Sequence, residues 1–191
     1  MNINIEQIRT NIKNGLEMFD REAIRRGIEI WKSIDGYNNY SVSSFGKVKN
    51  IKTGIILKPA IKNKYYFVIL RKNNSNCNKY VHRLVASTFC LNKDSKFYVD
   101  HINNDRLENN ANNLRFVTSR ENHFNMSLKS TNTSGVKGVS FYKRTGKWQA
   151  QIQLSGKSIH LGVFNTLEDA KIARQYKAKE LFGEYINKCE L

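Results

Sequence analysis

The chain has 191 residues, and its 40% hydrophobic content is sufficient to bury at least one ordinary core. It contains no apolar run of about 18 residues and no secretory signal pattern, so we expect a cytoplasmic protein with no membrane association. The three cysteines, Cys77, Cys90 and Cys189, are widely spaced, which argues against a disulfide framework and against a thiolate zinc site.

The formal net charge of +16 is concentrated in two stretches that lack acidic residues. Residues 36–93 contain eleven lysines and arginines, and residues 122–167 contain six. A polyanion binder with a cation site needs both basic residues for phosphates and carboxylates for the metal ion. The pattern therefore favours a nucleic-acid partner, although a merely solvated surface is the alternative. The acidic residues between the two stretches are Asp94, Asp100, Asp105, Glu108 and Glu121.

Residues 1–28 predict an N-terminal helical segment, because Ile5, Ile8 and Ile12 follow a period near 3.6 residues. Residues 29–80 predict a small β-rich module, since short β-branched and aromatic runs alternate there with turn residues. The predicted strands are Tyr40–Val42, Lys47–Ile51, Ile55–Leu57 and Tyr65–Leu70, followed by a strand end and a helix over Tyr80–Phe89.

Residues 81–126 predict one domain, in which the helix that ends near Phe89 is followed by a strand, a loop, a second strand and a helix. The first strand ends in Asp100 and His101, and the second covers Asn113–Thr118. A helix follows with Thr118 or Ser119 as its N-cap. A hairpin followed by a helix can bring distant side chains together at one small site.

Asp100 and Asn122 are the predicted metal ligands of this site. Magnesium takes oxygen ligands and keeps several waters, so two protein oxygens with a phosphate and water are sufficient for one Mg²⁺ or Mn²⁺. His101 would deprotonate the attacking water on the opposite side of the phosphate. His123 is an alternative ligand in a shifted register, whereas we interpret His82 as a structural or backbone-binding residue.

Four motif blocks resemble the HNH family of phage homing endonucleases: His82–Ala86, Asp100-His101, Asn113–Thr118 and Asn122. The segment from Glu29 to Pro59 is similar to the NUMOD-type helper module that often precedes this nuclease motif. The resemblance implies a ββα-metal (HNH, His-Me finger) nuclease domain with His101 as general base. It also implies that Asn113 ties the loop and holds His101 in place. Family members often have Asp-Gly where this chain has Asn103-Asn104.

Residues 127–134 predict a polar linker, and residues 135–191 predict a second module of three antiparallel strands packed on one helix. Thr166 is the expected helix N-cap and Gly183 its end. The apolar stripe of this helix is predicted at Ala170, Ala173, Tyr176 and Leu181. The expected strands are Val139–Tyr142, Trp148–Leu154 and Ser158–Phe164.

The middle strand of this module has an apolar face and a glutamine face, because side chains alternate along a strand. Glutamine can pair with adenine edges, and nearby basic residues can hold phosphates. The module resembles the plant Apetala/ethylene-response-factor DNA-binding domain in Gly146-Lys147-Trp148 and in Leu161–Phe164. A sheet that is polar only for solubility is the alternative. The predicted DNA-binding residues are Lys137, Tyr142, Lys143, Arg144, Gln149, Gln151, Gln153, Lys157 and His160.

Together these features predict an α+β, metal-dependent endonuclease of the homing type that hydrolyses double-stranded DNA with one divalent ion per site. We expect a monomer without a small-molecule cofactor, located in the host cytoplasm if a phage or virus encodes it. A single site favours nicking of one strand. The alternatives are a DNA-binding transcriptional regulator with an inactive HNH unit and an RNA-binding or packaging protein.

Overall fold

The computed structural model describes residues 5–126, 128, 130–154 and 156–187. The protein is α+β, as predicted, with four α-helices and eleven strands in this described part. The chain divides into two compact units. The first takes the described residues up to His101 together with Asp105–Phe116, and the second takes Ile102–Asn104 and the described residues from Val117 onward.

The first unit begins with the predicted helix, α1 (Ile5–Arg25), which precedes a three-stranded antiparallel sheet. The side chains of Ile5, Ile8 and Ile12, on which the helix prediction depended, lie outside the described residues. The strands of the sheet are β1 (Trp31–Ile34), β2 (Tyr37–Ser43) and β3 (Val48–Asn50), paired in chain order.

The strand predicted at Ile55–Leu57 is wrong. Ile56 forms only an isolated bridge with Lys49, because the chain turns after β3 and the Asn50 side chain accepts hydrogen bonds from the turn amides of Lys52 and Thr53. Pro59 follows directly and has no amide hydrogen with which to extend a ladder.

A second antiparallel sheet leads into the helix that supports the site. Its strands are β4 (Ala60–Lys62), β5 (Tyr65–Lys72) and β6 (Ser75–Tyr80), and α2 (Val81–Phe89) follows without a loop. Helix α2 buries Val81, Leu84 and Val85, the positions that a 3.6-residue period places on one face.

The predicted strand, loop, strand and helix are present. β7 (Tyr98–His101) pairs with β8 (Leu114–Val117), a short 3-10 helix over Ala111–Asn113 precedes β8, and α3 covers Ser119–Phe124. Thr118 caps α3: its hydroxyl accepts from the Glu121 amide, and the Glu121 carboxylate accepts from the Thr118 amide. This capping box satisfies two amides at the start of the helix, which explains why a helix of only six residues begins there.

The core of the first unit is shared by α1, both three-stranded sheets, α2 and β8. It contains Ile24 of α1, Val42 of β2, Leu70 of β5, Val85 of α2 and Leu114 of β8. The segments predicted as a helix, a β-rich module and a nuclease domain therefore bury their apolar side chains together. Each segment alone would leave part of this core exposed to water.

The second unit contains the predicted three-stranded sheet with one helix on it. The strands β9 (Val139–Tyr142), β10 (Lys147–Leu154) and β11 (Lys157–Phe164) are antiparallel with β10 in the centre, and α4 (Leu167–Phe182) packs on one face. Ala150 and Ile152 are buried beneath α4, whereas Gln151 and Gln153 are exposed on the opposite face. The predicted alternation of β10 is confirmed.

The predicted apolar stripe of α4 is partly wrong. Tyr176 is 75% exposed, and the buried positions are Ala170, Arg174, Ala178 and Phe182, each four residues from the last. Arg174 lies on this face because its aliphatic stem covers apolar surface and its guanidinium lies 5.8 Å from the Phe182 ring. A charged residue on the buried stripe concealed the stripe from a search for apolar periodicity.

The C-terminal end of α3 packs on the C-terminal module within the second unit. The Phe124 and Phe182 rings are stacked, with centroids 4.0 Å apart and planes at 15°. Lys137 Nζ donates to the carbonyl oxygens of Phe124 and Met126 at 3.0 and 2.8 Å, and the Asn187 amide donates to the Asn125 carbonyl. The predicted linker over 127–134 therefore joins two segments that are packed against each other.

Candidate active site

Asp100 and His101, the last two residues of β7, are both buried. Their exposed fractions are 7% and 4%. In most proteins an aspartate is exposed to water and a histidine is at least partly exposed. Burial of charged or titratable groups is costly unless other groups hold them, so their partners decide what they can do. Each has a defined partner.

Asp100 forms an ion pair with Arg115 on the neighbouring strand β8. Arg115 Nε and Nη2 each lie 3.0 Å from Asp100 Oδ2, and both side chains are largely buried. Charge-assisted hydrogen bonds from a rigid guanidinium fix the orientation of a carboxylate better than a lysine could. Arg115 therefore holds Asp100 in one position as an ionised oxygen donor.

His101 is oriented by Asn109, a buried residue of the loop between β7 and β8. His101 Nε2 and Asn109 Oδ1 are 3.1 Å apart, and Asn109 Nδ2 donates to the Leu107 carbonyl at 3.1 Å. Because that second bond directs the amide oxygen toward the ring, Nε2 carries the hydrogen. Nδ1 of neutral His101 is then the basic nitrogen.

The surroundings of His101 favour its neutral form. Burial lowers the pKa of His101 below its ordinary value, although the hydrogen bond to Asn109 and the charges of Asp100 and Asp105 act in the opposite direction. The positive charge of Arg106 adds to the lowering. A neutral imidazole can accept a proton, which a protonated one cannot.

Aromatic rings surround the His101 imidazole. The rings of His82 and Tyr65 lie 5.3 and 6.0 Å from it, centroid to centroid, and Tyr65 lies 4.7 Å from His82. His82 is 7% exposed, its Nδ1 has no hydrogen-bond partner among the residues that the structure describes, and burial lowers its pKa to about 3. His82 therefore acts as a neutral ring that packs against His101, in keeping with its structural interpretation.

The loop that carries Asn109 is held by Asn113 and Gly46. Asn113 is buried, and its side-chain amide donates to the Glu108 carbonyl at 2.9 Å. Gly46 has a φ of +87°, and a Cβ on it would lie 3.0 Å from Asn109 Cβ. A side chain at position 46 would therefore be strained by its backbone and would push Asn109 away from His101.

Asn122 and His123 lie on α3 and are exposed. They belong to the second compact unit, whereas Asp100, His101 and Asn113 belong to the first. The convergence of Asn122 with Asp100 stays a prediction, as does the alternative role of His123. Among the described residues, no group of three or more His, Cys, Asp and Glu side chains could hold a metal ion.

Of the predicted DNA-binding residues of the C-terminal module, Tyr142, Gln149, Gln151, Gln153 and His160 belong to the face of the sheet opposite α4, whereas Lys143 and Arg144 lie in the turn before β10 and Lys157 pairs with Leu154 at the end of β10. Gln149 Nε2 lies 3.1 Å from His160 Nδ1, and Gln151 Oε1 accepts from the Ser158 hydroxyl at 3.2 Å. Lys137 instead donates to backbone carbonyls at the end of α3. The remaining predicted residues, Tyr142, Lys143, Arg144, Gln153 and Lys157, are exposed.

Neither of the two cysteines that the structure describes takes part in the site. Cys77 and Cys90 carry free thiols, and Cys189 lies outside the described residues. Burial raises the pKa of Cys90 to about 12, and its Sγ lies 3.4 Å from the Leu114 carbonyl oxygen. None of the helices in the described ranges combines the length and the apolar character that crossing a bilayer requires.

Comparison with known proteins places these residues in two recognised segments. A family described as HNH endonuclease matches residues 79–124, and the NUMOD4 motif matches residues 29–71. The chain is 38% identical over 116 residues to DNA endonuclease I-HmuI of Bacillus phage SP01, a match that covers 59% of this chain and 67% of that protein. The chain belongs to the HNH endonuclease family.

Other relatives of this HNH endonuclease are viral. An uncharacterized HNH endonuclease, L247, of Acanthamoeba polyphaga mimivirus is 48% identical over 99 residues, which cover 49% of this chain but only 25% of the relative. The solved structure titled "DNA binding and cleavage by the HNH homing endonuclease I-HmuI" matches with 38% identity and a TM-score of 0.47, over 49% of this chain and 55% of that one.

The two matched segments contain most of the site. Asp100, His101, Asn113 and Asn122 lie in the HNH segment, and Tyr65 lies in the NUMOD4 motif. The predicted resemblance to an HNH nuclease with a NUMOD-type helper is thus confirmed, whereas neither segment extends to residues 135–191.

Sequence reasoning did not assign roles to Asn109, Arg115 or Tyr65. Asn109 and Arg115 lie within the recognised motif, so their polar side chains near Asp100 and His101 were a usable signal. Tyr65 is on β5, far earlier in the chain, and its sequence context gives no sign that its ring reaches a histidine of the HNH segment.

Proposed function

We propose that this HNH endonuclease is a metal-dependent, homing-type enzyme that hydrolyses a phosphodiester bond of double-stranded DNA. The observation that carries the proposal is the buried Asp100 and His101 pair at the end of β7, each oriented by its own partner. A protein that only bound DNA would have no need for a neutral, buried and oriented imidazole beside an ionised carboxylate.

His101 is the general base of the proposed reaction. Its Nδ1 accepts a proton from the attacking water while the water oxygen bonds to phosphorus and the bond from phosphorus to the 3′-oxygen breaks. The departing oxygen takes a proton from solvent, so the products are a 5′-phosphate and a 3′-hydroxyl. Asn109 holds the imidazole ring, and Asn113 holds the loop that carries Asn109.

A divalent cation, magnesium or manganese, would be held by Asp100 and Asn122. Asp100 fits this role because hard cations prefer oxygen ligands and Arg115 orients its carboxylate. When bound, one such ion would stabilise the charge on the phosphate and on the leaving oxygen. Arg115 contributes by preventing the carboxylate from rotating away.

The C-terminal module is proposed to be an Apetala/ethylene-response-factor-like DNA reader. Its support is the polar face of the sheet, on which Gln149, Gln151 and Gln153 alternate with the buried side chains of β10. Glutamine amides can make paired hydrogen bonds to adenine in the major groove. Lys143, Arg144 and Lys157 would contact phosphates at the margins of this face.

Two further proposals concern the number of strands that are cut and the place where the protein acts. A monomer with one catalytic histidine breaks one strand per encounter, so we expect nicking. The relatives described above come from a phage and a giant virus, which supports action in the cytoplasm of an infected host.

Plasmid cleavage tests the proposed function. Supercoiled plasmid carrying a cognate site should become open-circular in magnesium or manganese and stay supercoiled with EDTA. His101→Ala should abolish cleavage and leave DNA affinity largely unchanged, because the imidazole is buried. Binding without cleavage by the wild-type protein in either metal would support the alternative of a regulator with an inactive HNH unit.

A further inference from the structure

Arg106 is a cation of the loop after β7, and the reaction proposed above does not use it. It is exposed, and its guanidinium lies 5.1 Å from the centre of the Tyr65 ring. The same ring lies 6.0 Å from His101. Arg106 forms no ion pair within the ranges of the chain that the structure describes. Its charge is therefore available to a ligand.

The loop around Arg106 has a defined backbone. Asp105 Oδ1 accepts from the Leu107 amide at 2.9 Å, and the Asp105 carbonyl accepts from the Glu108 amide at 3.2 Å. The Glu108 carbonyl in turn accepts from Asn113 at 2.9 Å. The loop thus presents Arg106 from a hydrogen-bonded turn, which reduces the entropy lost when its side chain binds a ligand.

Tyr65 acts as a platform for the guanidinium. A guanidinium that stacks on an aromatic face keeps its N–H donors in the plane of the stack, where they can make paired bonds to phosphate oxygens. Because Tyr65 belongs to β5 and Arg106 to the loop after β7, two segments distant in sequence form this arrangement.

We propose, resting on the endonuclease function above, that Arg106 binds a non-bridging oxygen of the scissile phosphate and stabilises its charge in the transition state. Tyr65 is a positioning residue that holds the guanidinium on the His101 side of the loop. The support is geometric: the Arg106 guanidinium lies 5.1 Å from the centre of the Tyr65 ring, and the centre of that ring lies 6.0 Å from the centre of the His101 imidazole. Preorganised donors aimed at developing charge are among the largest contributions to catalysis.

Other arginines of the first unit are less suited to this role. Arg115 is already paired with Asp100, and Arg83 stacks on the exposed Phe97 ring at 5.1 Å. Among the described residues, Phe97 has no ring contact with His101, whereas Tyr65, which carries Arg106, lies 6.0 Å from His101. The assignment therefore rests on the position of one guanidinium and not on the overall basic charge.

Arg106→Ala, Arg106→Lys and Tyr65→Leu test the proposal in the full chain, with single-turnover cleavage of plasmid by a saturating excess of enzyme as the measurement. Arg106→Ala should lower the cleavage rate about 100-fold, the usual effect of losing one donor to a developing negative charge. Arg106→Lys should recover only part of the rate because an ammonium cannot form the paired geometry. Tyr65→Leu should lower the rate, whereas Tyr65→Phe, which keeps the ring, should not.

Arg26→Ala is the matched control, since it also removes one exposed positive charge, from an i,i+4 pair with Glu22. It should cleave at the wild-type rate, and DNA affinity measured by fluorescence anisotropy should be similar for both alanine variants. Added guanidinium chloride should partly restore cleavage by Arg106→Ala but not by His101→Ala, which a purely structural role would not predict.

The outcomes distinguish the two proposals. Wild-type cleavage with equal cleavage by Arg106→Ala overturns the role of Arg106 and leaves the endonuclease function intact. A rate loss in Arg106→Ala that comes with an equal loss of affinity, and no response to guanidinium, also overturns it, because Arg106 would then contribute only to binding. No cleavage by the wild-type protein in magnesium or manganese overturns both.

Discussion

The side-chain oxygen of Asn109 lies 3.1 Å from Nε2 of His101, and this contact determines which nitrogen of the imidazole is basic. Both residues are more than nine-tenths buried, so water cannot replace the Asn109 amide as the hydrogen-bond partner of His101. Asn109 therefore controls the protonation geometry of the base, although it touches neither water nor phosphate in the proposed reaction.

Asn109→Ala should lower the cleavage rate about 100-fold, because a small misplacement of a general base has an effect of this size. DNA affinity should change little, since the Asn109 side chain is buried. Asn109→Asp keeps the acceptor oxygen and should retain most of the rate. Single-turnover cleavage and anisotropy provide the two measurements, and a wild-type rate in Asn109→Ala would contradict the assignment.

Arg115→Met should destabilise the protein by about 3 kcal/mol, because it removes the guanidinium that pairs with the buried carboxylate of Asp100. The double variant with Asp100→Asn should recover much of this loss, since no buried charge then remains. Chemical unfolding measures both. Lys47→Met is the control: it breaks the more exposed pair with Glu29 and should cost less than about 1 kcal/mol. Equal losses of unfolding free energy in Arg115→Met and Lys47→Met would contradict the prediction.

His82 should make the stability of the protein depend on pH between about 5 and 6.5. Burial lowers its pKa to about 3 in the folded protein, so the unfolded chain binds a proton in this range and the folded chain does not. The stability is fully present above the unfolded pKa and is lost as the pH falls. From pH 6.5 to pH 5 the free energy of unfolding should decrease by about 2 kcal/mol from this residue.

His82→Phe tests that dependence. The substitution keeps a ring against Tyr65 and His101 and removes the titrating nitrogens, so its stability at pH 7.5 should lie within about 1 kcal/mol of wild type. Its unfolding free energy should change less with pH than that of the wild type. Parallel pH profiles for the two proteins, from urea unfolding at matched ionic strength, would show that His82 is not the group responsible.

The glutamine face of β10 should contribute to DNA recognition and not to folding. Replacement of Gln151 and Gln153 by alanine should weaken binding to a cognate site by about 1–3 kcal/mol per lost base contact. The melting temperature should be unaffected, because both side chains are exposed. Gln175→Ala on α4 is the control and should bind normally. Titrations at fixed salt concentration are needed, and unchanged affinity for cognate DNA would rule out this face as the reader.

The strands and helices near the site could be predicted because their signals are local. Thr118 and Glu121 form the capping box that a three-residue spacing indicates, and the alternation of β10 appears directly in its sequence. The contacts of the site could not be predicted in the same way. Tyr65 reaches His101 only because β5 and β7 contribute to one folded unit, and no local pattern encodes that distance.

The errors have a physical cause as well. Tyr176 was predicted on the apolar stripe of α4 with Ala170, Ala173 and Leu181, but the buried position two residues earlier is Arg174. The stem of an arginine can cover apolar surface as a hydrocarbon would, so composition alone misplaces the helix face by half a turn. The hydrogen bonds of Lys137 could not be predicted from the sequence either, since only the folded chain brings its Nζ to the carbonyl oxygens of Phe124 and Met126.

The stack of Phe124 on Phe182 limits how recombination can exchange the C-terminal module. Phe124 belongs to the HNH segment and Phe182 to the module that follows, so a replacement module without a matching ring would leave an aromatic side chain in water at the end of the helix that carries Asn122. A chimaera in which another module replaces residues 135–187 should therefore carry an aromatic residue placed to stack on Phe124. This holds even when the new module has its own complete fold.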